Sequence, residues 1–123
     1  MKHSQEFEDL VAQIKPGIKE VTIEQVVSFQ KEAKDFLLID VREDHEWQQG
    51  HAPGAVHLGR GIIERDIIAL EPNKEREIVL YCGGGYRSAM SAENLQKMGY
   101  TNIFSMAGGM RGWRELNLPE EKP

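Results

Sequence analysis

The chain carries a single cysteine among its 123 residues. One cysteine closes no internal disulfide, which suits a reducing compartment. Long hydrophobic runs are missing too. No stretch approaches the ~20 apolar residues that a membrane span needs, and Met1-Lys2-His3-Ser4-Gln5-Glu6 leads into no apolar core of a secretory signal. A basic run is equally absent: the net charge is −5, so nothing in the chain is set to neutralise the phosphates of a nucleic acid. Any preference for anions must therefore be local to a site. Together these absences lead us to expect a cytoplasmic protein with neither nucleic acid nor membrane as partner. What is present is ordinary for a globular chain, 40% hydrophobic and 28% charged, and its length is that of one domain with a real core.

The one cysteine stands in the most informative stretch, Ile78 to Ala89, IVLYCGGGYRSA. Ile78-Val79-Leu80-Tyr81 is short, apolar and rich in β-branched and aromatic residues, as a buried strand is. Cys82 falls where that strand ends. Gly83, Gly84 and Gly85 follow, then Tyr86 and Arg87, and a helix is expected from Ser88. Glycines let successive backbone N–H groups point into one concavity, and a helix N-terminus adds unpaired donors and the positive end of its dipole. Such a cradle, with Arg87 supplying a fork of further donors, favours an anion and favours the thiolate of a cysteine at its mouth. The alternative, Cys82 as a small buried hydrophobe beside a plain turn, explains neither the three glycines nor the arginine.

The rest of the chain alternates helices and strands. Residues 1–15 place Phe7, Leu10, Val11 and Ile14 on one helical stripe ended by Pro16-Gly17, giving an N-terminal helical unit over residues 1–17 that should pack on the domain. Ile18 to Val21 reads as a short edge strand. Thr22 and Gln25 have capping-box spacing for a helix running to about Lys34 and burying Val26, Val27, Phe29 and Ala33. Phe36 to Val41 is too continuously apolar for a half-exposed strand and belongs inside a parallel sheet. Asp40, near its carboxyl end, sits at the edge where ligands of open α/β sheets gather. A short charged helix at Arg42 to Trp47, a turn and short strand at Gly50 to Leu58, and a partly helical Ile62 to Leu70 lead to the cysteine strand. After it come a helix stopped by Gly99, a strand from Tyr100 to Phe104, a second glycine turn at Ser105 to Met110, and a polar tail. Alternation of this kind implies a parallel sheet with right-handed crossovers.

In combination, three segments resemble a rhodanese domain, the module of sulfurtransferases. These are Leu38-Ile39-Asp40-Val41-Arg42 with Glu46; Gly50-His51-Ala52-Pro53-Gly54-Ala55; and Cys82 to Arg87 with Gly108-Gly109 and Gly112-Trp113 behind. The resemblance runs from about Val21 to Trp113. It implies an α/β fold of three layers, a five-stranded parallel sheet flanked by helices, with the domain over residues 18–116 and a polar tail at 117–123. It also implies transfer of a sulfane sulfur from a small anionic donor, thiosulfate or a persulfide, to cyanide, a thiol or a protein acceptor. Cys82 would carry the sulfur as a persulfide, and no metal or organic cofactor is called for. Gly83, Gly84, Gly85, Tyr86 and Arg87 would hold the substrate, with Tyr86 either on the rim or packed outward. Arg60 would reach the pocket mouth, although Gly59 stands where the family has proline. Asp40, Arg42 and Ser88 support the site, the first two by structural hydrogen bonding rather than substrate contact.

The same fold hosts phosphatases and arsenate reductases, which carry a histidine before the cysteine and a C-x5-R loop. Here Tyr81 precedes Cys82 and the loop is C-x4-R, the sulfur-handling size. A phosphatase would also need a general acid, for which Asp40 and Glu64 are the candidates in principle. A sulfur-relay or binding module fed by a protein donor is the other alternative. His45, His51 and His57, six residues apart, share no metal-binding face. His51 is expected to pin the Pro53-Gly54 turn and Trp113 to lie in the core.

Overall fold

The computed structural model describes residues 2–123. Five strands, β1 (Lys19–Val21), β2 (Leu37–Asp40), β3 (Val56–His57), β4 (Ile78–Tyr81) and β5 (Ile103–Met106), form one sheet in the order β1-β5-β4-β2-β3. All four pairings are parallel. Six helices surround it: α1 (Gln5–Ile14), α2 (Ile23–Lys31), α3 (Asp44–Gln48), α4 (Ile63–Leu70), α5 (Tyr86–Lys97) and α6 (Gly109–Glu115). None of the described helices is long and apolar enough to cross a membrane.

Strand alternation divides the core into two layers. Ile39, Ile78, Leu80 and Cys82 pack with Ile63 and Ile67 of α4 and Ala92 and Leu95 of α5. On the other face Leu38, Val79 and Tyr81 meet Ile23 and Val26 of α2 and Met110 and Trp113 of α6. β4, fully buried at all four positions, lies in the middle of the sheet. Its carboxyl end therefore opens between the two helical layers, and that is where Cys82 stands.

Local chemistry sets the element ends. Thr22 and Gln25 make the expected reciprocal capping box. Ser4 caps α1 by accepting from the Phe7 N–H at 3.1 Å, and a 3-10 turn at Lys15–Gly17 ends that helix. α1 packs on α5. Four expectations need correction. Leu10 is 47% exposed rather than part of the buried stripe, because α1 buries only Val11 and Ile14 fully. Ala33 lies beyond α2 with φ +54° and is exposed. The last strand begins three residues later than expected, since the Tyr100 N–H is spent on Leu95 O at 3.1 Å, closing the end of α5. Behind the second glycine turn is a helix, α6, which the glycines at 108, 109 and 112 concealed. Residues 117–123 are tied down: His51 and Glu121 exchange two backbone hydrogen bonds of 2.8 Å, and the Trp113 indole N–H donates to Pro119 O at 2.8 Å.

Candidate active site

Cys82 leaves β4 and the chain turns at once into α5. Gly85, the residue before the helix, has φ +100°, a conformation that an L side chain resists. The turn brings the Gly85 N–H to 3.0 Å and the Ser88 N–H to 3.4 Å from the cysteine Sγ. Both donate to the sulfur, and the N-terminus of a 12-residue helix points at it. The Ser88 hydroxyl stands 3.5 Å from Sγ and 2.8 Å from the Ser105 hydroxyl. Ser105, on the neighbouring strand β5, is fully buried; nothing in the sequence around it marked it.

α6 fixes the loop from behind. The Met110 N–H donates to Cys82 O at 2.8 Å and the Arg111 N–H to Gly83 O at 2.9 Å. In a trans peptide C=O and N–H point in opposite directions. Holding these carbonyls on α6 thus turns the N–H groups of Gly83 and Gly84 away from it, and among the described residues neither finds an acceptor. The approach is close: a Cβ on Gly109, whose φ is +55°, would collide with Cys82 O and lie 2.8 Å from the carbonyl carbon of Gly83. Glycine is required there by space as well as by torsion.

Over the loop opens a cleft of about 860 Å³. Cys82, Gly83, Gly84, Tyr86, Arg87 and Arg42 all line it. Arg87, expected to present its fork to substrate, has already given it to a carboxylate: it donates to Glu46 at 2.6 and 3.0 Å. Those hydrogen bonds pull the Glu46 carboxyl down to about 2, against a burial effect in the opposite direction. Asp40 and Arg42 form a buried pair. The guanidinium bonds both carboxylate oxygens at 2.8–3.1 Å and donates to Gly50 O at 2.7 Å, as structural anchoring requires. Arg60 departs from expectation. It does not line the Cys82 cleft; its guanidinium reaches Met90 Sδ at 3.5 Å and borders a neighbouring hollow.

Two groups considered as general acids are misplaced for that task. Asp40 is locked to Arg42, and Glu64 lies outside the cleft lining, accepting from the Asn94 side chain at 2.7 Å. The phenol of Tyr81 accepts the Ala52 N–H at 3.1 Å, and burial pushes its ionisation well above the usual range. His51 stacks on Trp47 with ring centroids 3.5 Å apart, bracing the turn before Pro53-Gly54. Trp113 is core. Sequence reasoning missed several residues of the cleft wall, notably His3, Phe7, Met110 and Arg111, which come from elements at the two ends of the chain.

Parallel order, a cysteine at the end of the central strand and a six-residue loop entering a helix define an α/β module with its cysteine held in a backbone cradle. The family model of the rhodanese-like domain matches residues 22–116, and the chain belongs to that family. It is 31% identical over 106 residues to a sulfurtransferase of Allochromatium vinosum, covering 86% of this chain and 97% of that one. It is 33% identical over 97 residues to YrkF of Bacillus subtilis, named a candidate sulfur carrier protein. That match covers 79% of this chain but only 51% of YrkF, so the chain spans about half of that relative. Among solved structures, a protein of unknown function from Rhodopseudomonas palustris, described as a possible tyrosine phosphatase, superposes with a TM-score of 0.82 at 25% identity. That superposition covers 98% of both chains.

Proposed function

We propose that this protein is a sulfurtransferase that moves a sulfane sulfur from thiosulfate or a persulfide donor to a thiophilic acceptor through a persulfide on Cys82. The observation that carries the reading is the Cys82 sulfur itself, at the floor of a six-residue loop and receiving N–H groups from Gly85 and Ser88. The thiolate attacks the outer sulfur of thiosulfate; the S–S bond of the donor breaks and its electron pair leaves with sulfite. The new bond is the S–S of a Cys82 persulfide anion. An acceptor such as cyanide or a thiol then takes the outer sulfur and returns the thiolate, a ping-pong cycle. Neither displacement needs a metal or an organic cofactor. Negative charge returns to the cysteine sulfur or its persulfide after each step. The N–H groups of Gly85 and Ser88 that donate to Sγ, with those of the rest of the loop, would stabilise it as donors of an oxyanion hole stabilise oxygen. A single cysteine supports a reducing, cytoplasmic setting in which the thiol stays free.

A phosphatase reading is weaker, because the loop arginine is already paired with Glu46, and of the two general acids considered Asp40 is locked to Arg42 and Glu64 lies outside the cleft. A sulfur relay fed by a protein donor is the second reading, favoured by the naming of YrkF. Intact mass after brief incubation with thiosulfate tests the proposal. A gain of one sulfur that cyanide removes is expected, and Cys82→Ser abolishes it while keeping the fold. No gain with a thiol still readily alkylated would overturn the thiosulfate reading in favour of the relay. No gain with an inert thiol would overturn both.

A further inference from the structure

The family match begins at residue 22, yet the cleft over Cys82 is walled in part by residues that precede it. His3 stacks on the ring of Tyr86, centroids 4.4 Å apart and planes 26° apart. Phe7, on α1, stands 5.4 Å from Tyr86 and 5.1 Å from His3. The Tyr86 hydroxyl donates to Glu8 at 3.5 Å, also on α1. Tyr86 belongs to the loop that follows Cys82, so the N-terminal segment is joined to the catalytic loop by three rings. All three are only half-buried, and all three line the cleft. Aromatic faces left open beside a reactive sulfur form a surface for an apolar group.

The charges of the same cleft are unevenly placed. Four arginines line it. Arg42 is held by Asp40, Arg87 by Glu46 and Arg114 by Glu120. Arg111 alone has no carboxylate partner among the described residues. Its guanidinium lies 3.8 Å from the position a Cβ would take on Gly84, directly beside the loop. The cleft therefore offers one open cation, one aromatic wall and one nucleophile. Its volume of about 860 Å³ falls in the ~300–1,000 Å³ range of sites for organic ligands and far exceeds what thiosulfate fills.

Resting on the sulfur-transfer reading, we propose that the donor class preferred by this protein is an anionic organic sulfane-sulfur compound. Its aryl or alkyl part lies against His3, Phe7 and Tyr86, its charged group meets Arg111, and its outer sulfur faces Cys82. With an aryl thiosulfonate, the thiolate attacks the outer sulfur, the bond between that sulfur and the sulfonyl sulfur breaks, and the electron pair leaves with the aryl sulfinate. Cys82 keeps the sulfur as a persulfide anion, and total charge is unchanged. α1 is thus a specificity element added ahead of the matched domain.

The test uses the full chain with two donors, thiosulfate and benzenethiosulfonate, and cyanide as acceptor. Benzenethiosulfonate is expected to have the higher kcat/KM. The double variant His3→Ala/Phe7→Ala should reduce that advantage by about three- to tenfold, the worth of an aromatic contact. Arg111→Gln, at an exposed position, should raise KM for both anions by about tenfold or more, as loss of a charge-assisted hydrogen bond does. A second measurement is independent of turnover: binding of benzenesulfonate, which has no sulfur to give, to Cys82→Ser by calorimetry. Benzenesulfonate should bind more tightly than sulfate, and lose that margin when His3→Ala/Phe7→Ala is added. Turnover of thiosulfate with no preference for the aryl donor, and no benzenesulfonate margin, would overturn this assignment and leave sulfur transfer standing. Benzenesulfonate binding that depends on the wall, with no transfer from either donor, would support the ligand class and sink the sulfur-transfer reading.

Discussion

Two of the arginine–carboxylate pairs at the Cys82 cleft, Asp40 with Arg42 and Glu46 with Arg87, are alike in geometry and unlike in setting. Asp40 and Arg42 are almost wholly inaccessible, at 0% and 3% exposure. Arg42 also bonds the carbonyl of Gly50, fastening the end of β2 to the turn that leads to β3. Glu46 and Arg87 are equally well paired, but about a quarter to a third of each side chain meets solvent, and the pair belongs to the cleft wall. A buried pair owes its importance to the cost of leaving either partner alone; an exposed pair contributes little to stability and instead sets the local charge. The first pair builds the sheet edge. The second balances charge beside the sulfur, holding the one loop cation electrically neutral.

The largest effect should come from breaking the buried pair. Arg42→Ala leaves the Asp40 carboxylate and the Gly50 carbonyl without partners, at a cost of about 3–5 kcal/mol and a fall in Tm of roughly 10–20 °C. Adding Asp40→Asn removes the stranded charge and should recover part of that loss. Thermal unfolding of the single and double variants measures this. A single variant within 1 °C of wild type would show that water or a rearranged side chain satisfies Asp40, and the contrast between the pairs would disappear.

How far the sequence foretold these roles depends on how local the cause was. Thr22 and Gln25 are three residues apart and settle the start of α2 between themselves. Ile78 to Tyr81 is apolar enough to demand the middle of a sheet, and the glycines after Cys82 announce the loop. Asp40 with Arg42, two residues apart at a strand end, was legible as an anchor for the same reason. Arg87 was not legible as a spent cation, because its partner Glu46 lies 41 residues away and only the fold brings them together. Ser105 on β5 meets Ser88 on α5, and Phe7 meets Tyr86 across most of the chain. α6 was hidden because Gly108, Gly109 and Gly112 look like a turn. The structure uses Gly109 for close approach to Cys82 instead, and the helix follows from it. Strand-end chemistry could be read, while the walls around it needed the topology.

An intermediate effect should separate charge balance from direct recognition at the second pair. Arg87→Ala uncovers the Glu46 carboxylate beside an anion site. Repulsion of one charge across a partly solvated cleft is worth about 1 kcal/mol, so KM for thiosulfate should rise roughly fivefold, with stability changed by less than about 1 kcal/mol. Arg87→Ala/Glu46→Ala removes both charges and should return KM most of the way to wild type. Were the double variant as poor as the single one, Arg87 would be touching the donor itself, and both pairs would need to be read as direct participants in their regions.

The smallest effect is a pH dependence, and it follows from the direction in which Glu46 is shifted. Its carboxyl titrates near 2 in the folded protein, against 4.5 for a free glutamate, chiefly through the hydrogen bonds from Arg87. The folded state therefore holds the charged form more favourably than the unfolded state does. That stabilisation is complete above pH 4.5 and is lost as pH falls toward 2. Because the pair is part exposed and screened by salt, its contribution is about 1 kcal/mol rather than the several that the full shift would give. Glu46→Gln keeps an oxygen for the Glu43 N–H, which Glu46 accepts at 3.1 Å to start α3, and removes the charge together with the acceptor for one arm of the Arg87 fork. Urea unfolding between pH 7 and pH 2.5 should then show a shallower acid loss for Glu46→Gln than for wild type, with the difference shrinking in high salt. Parallel curves would mean that Glu46 gains nothing from Arg87 in the folded state, leaving Asp40 and Arg42 as the one of these two pairs with an energetic role.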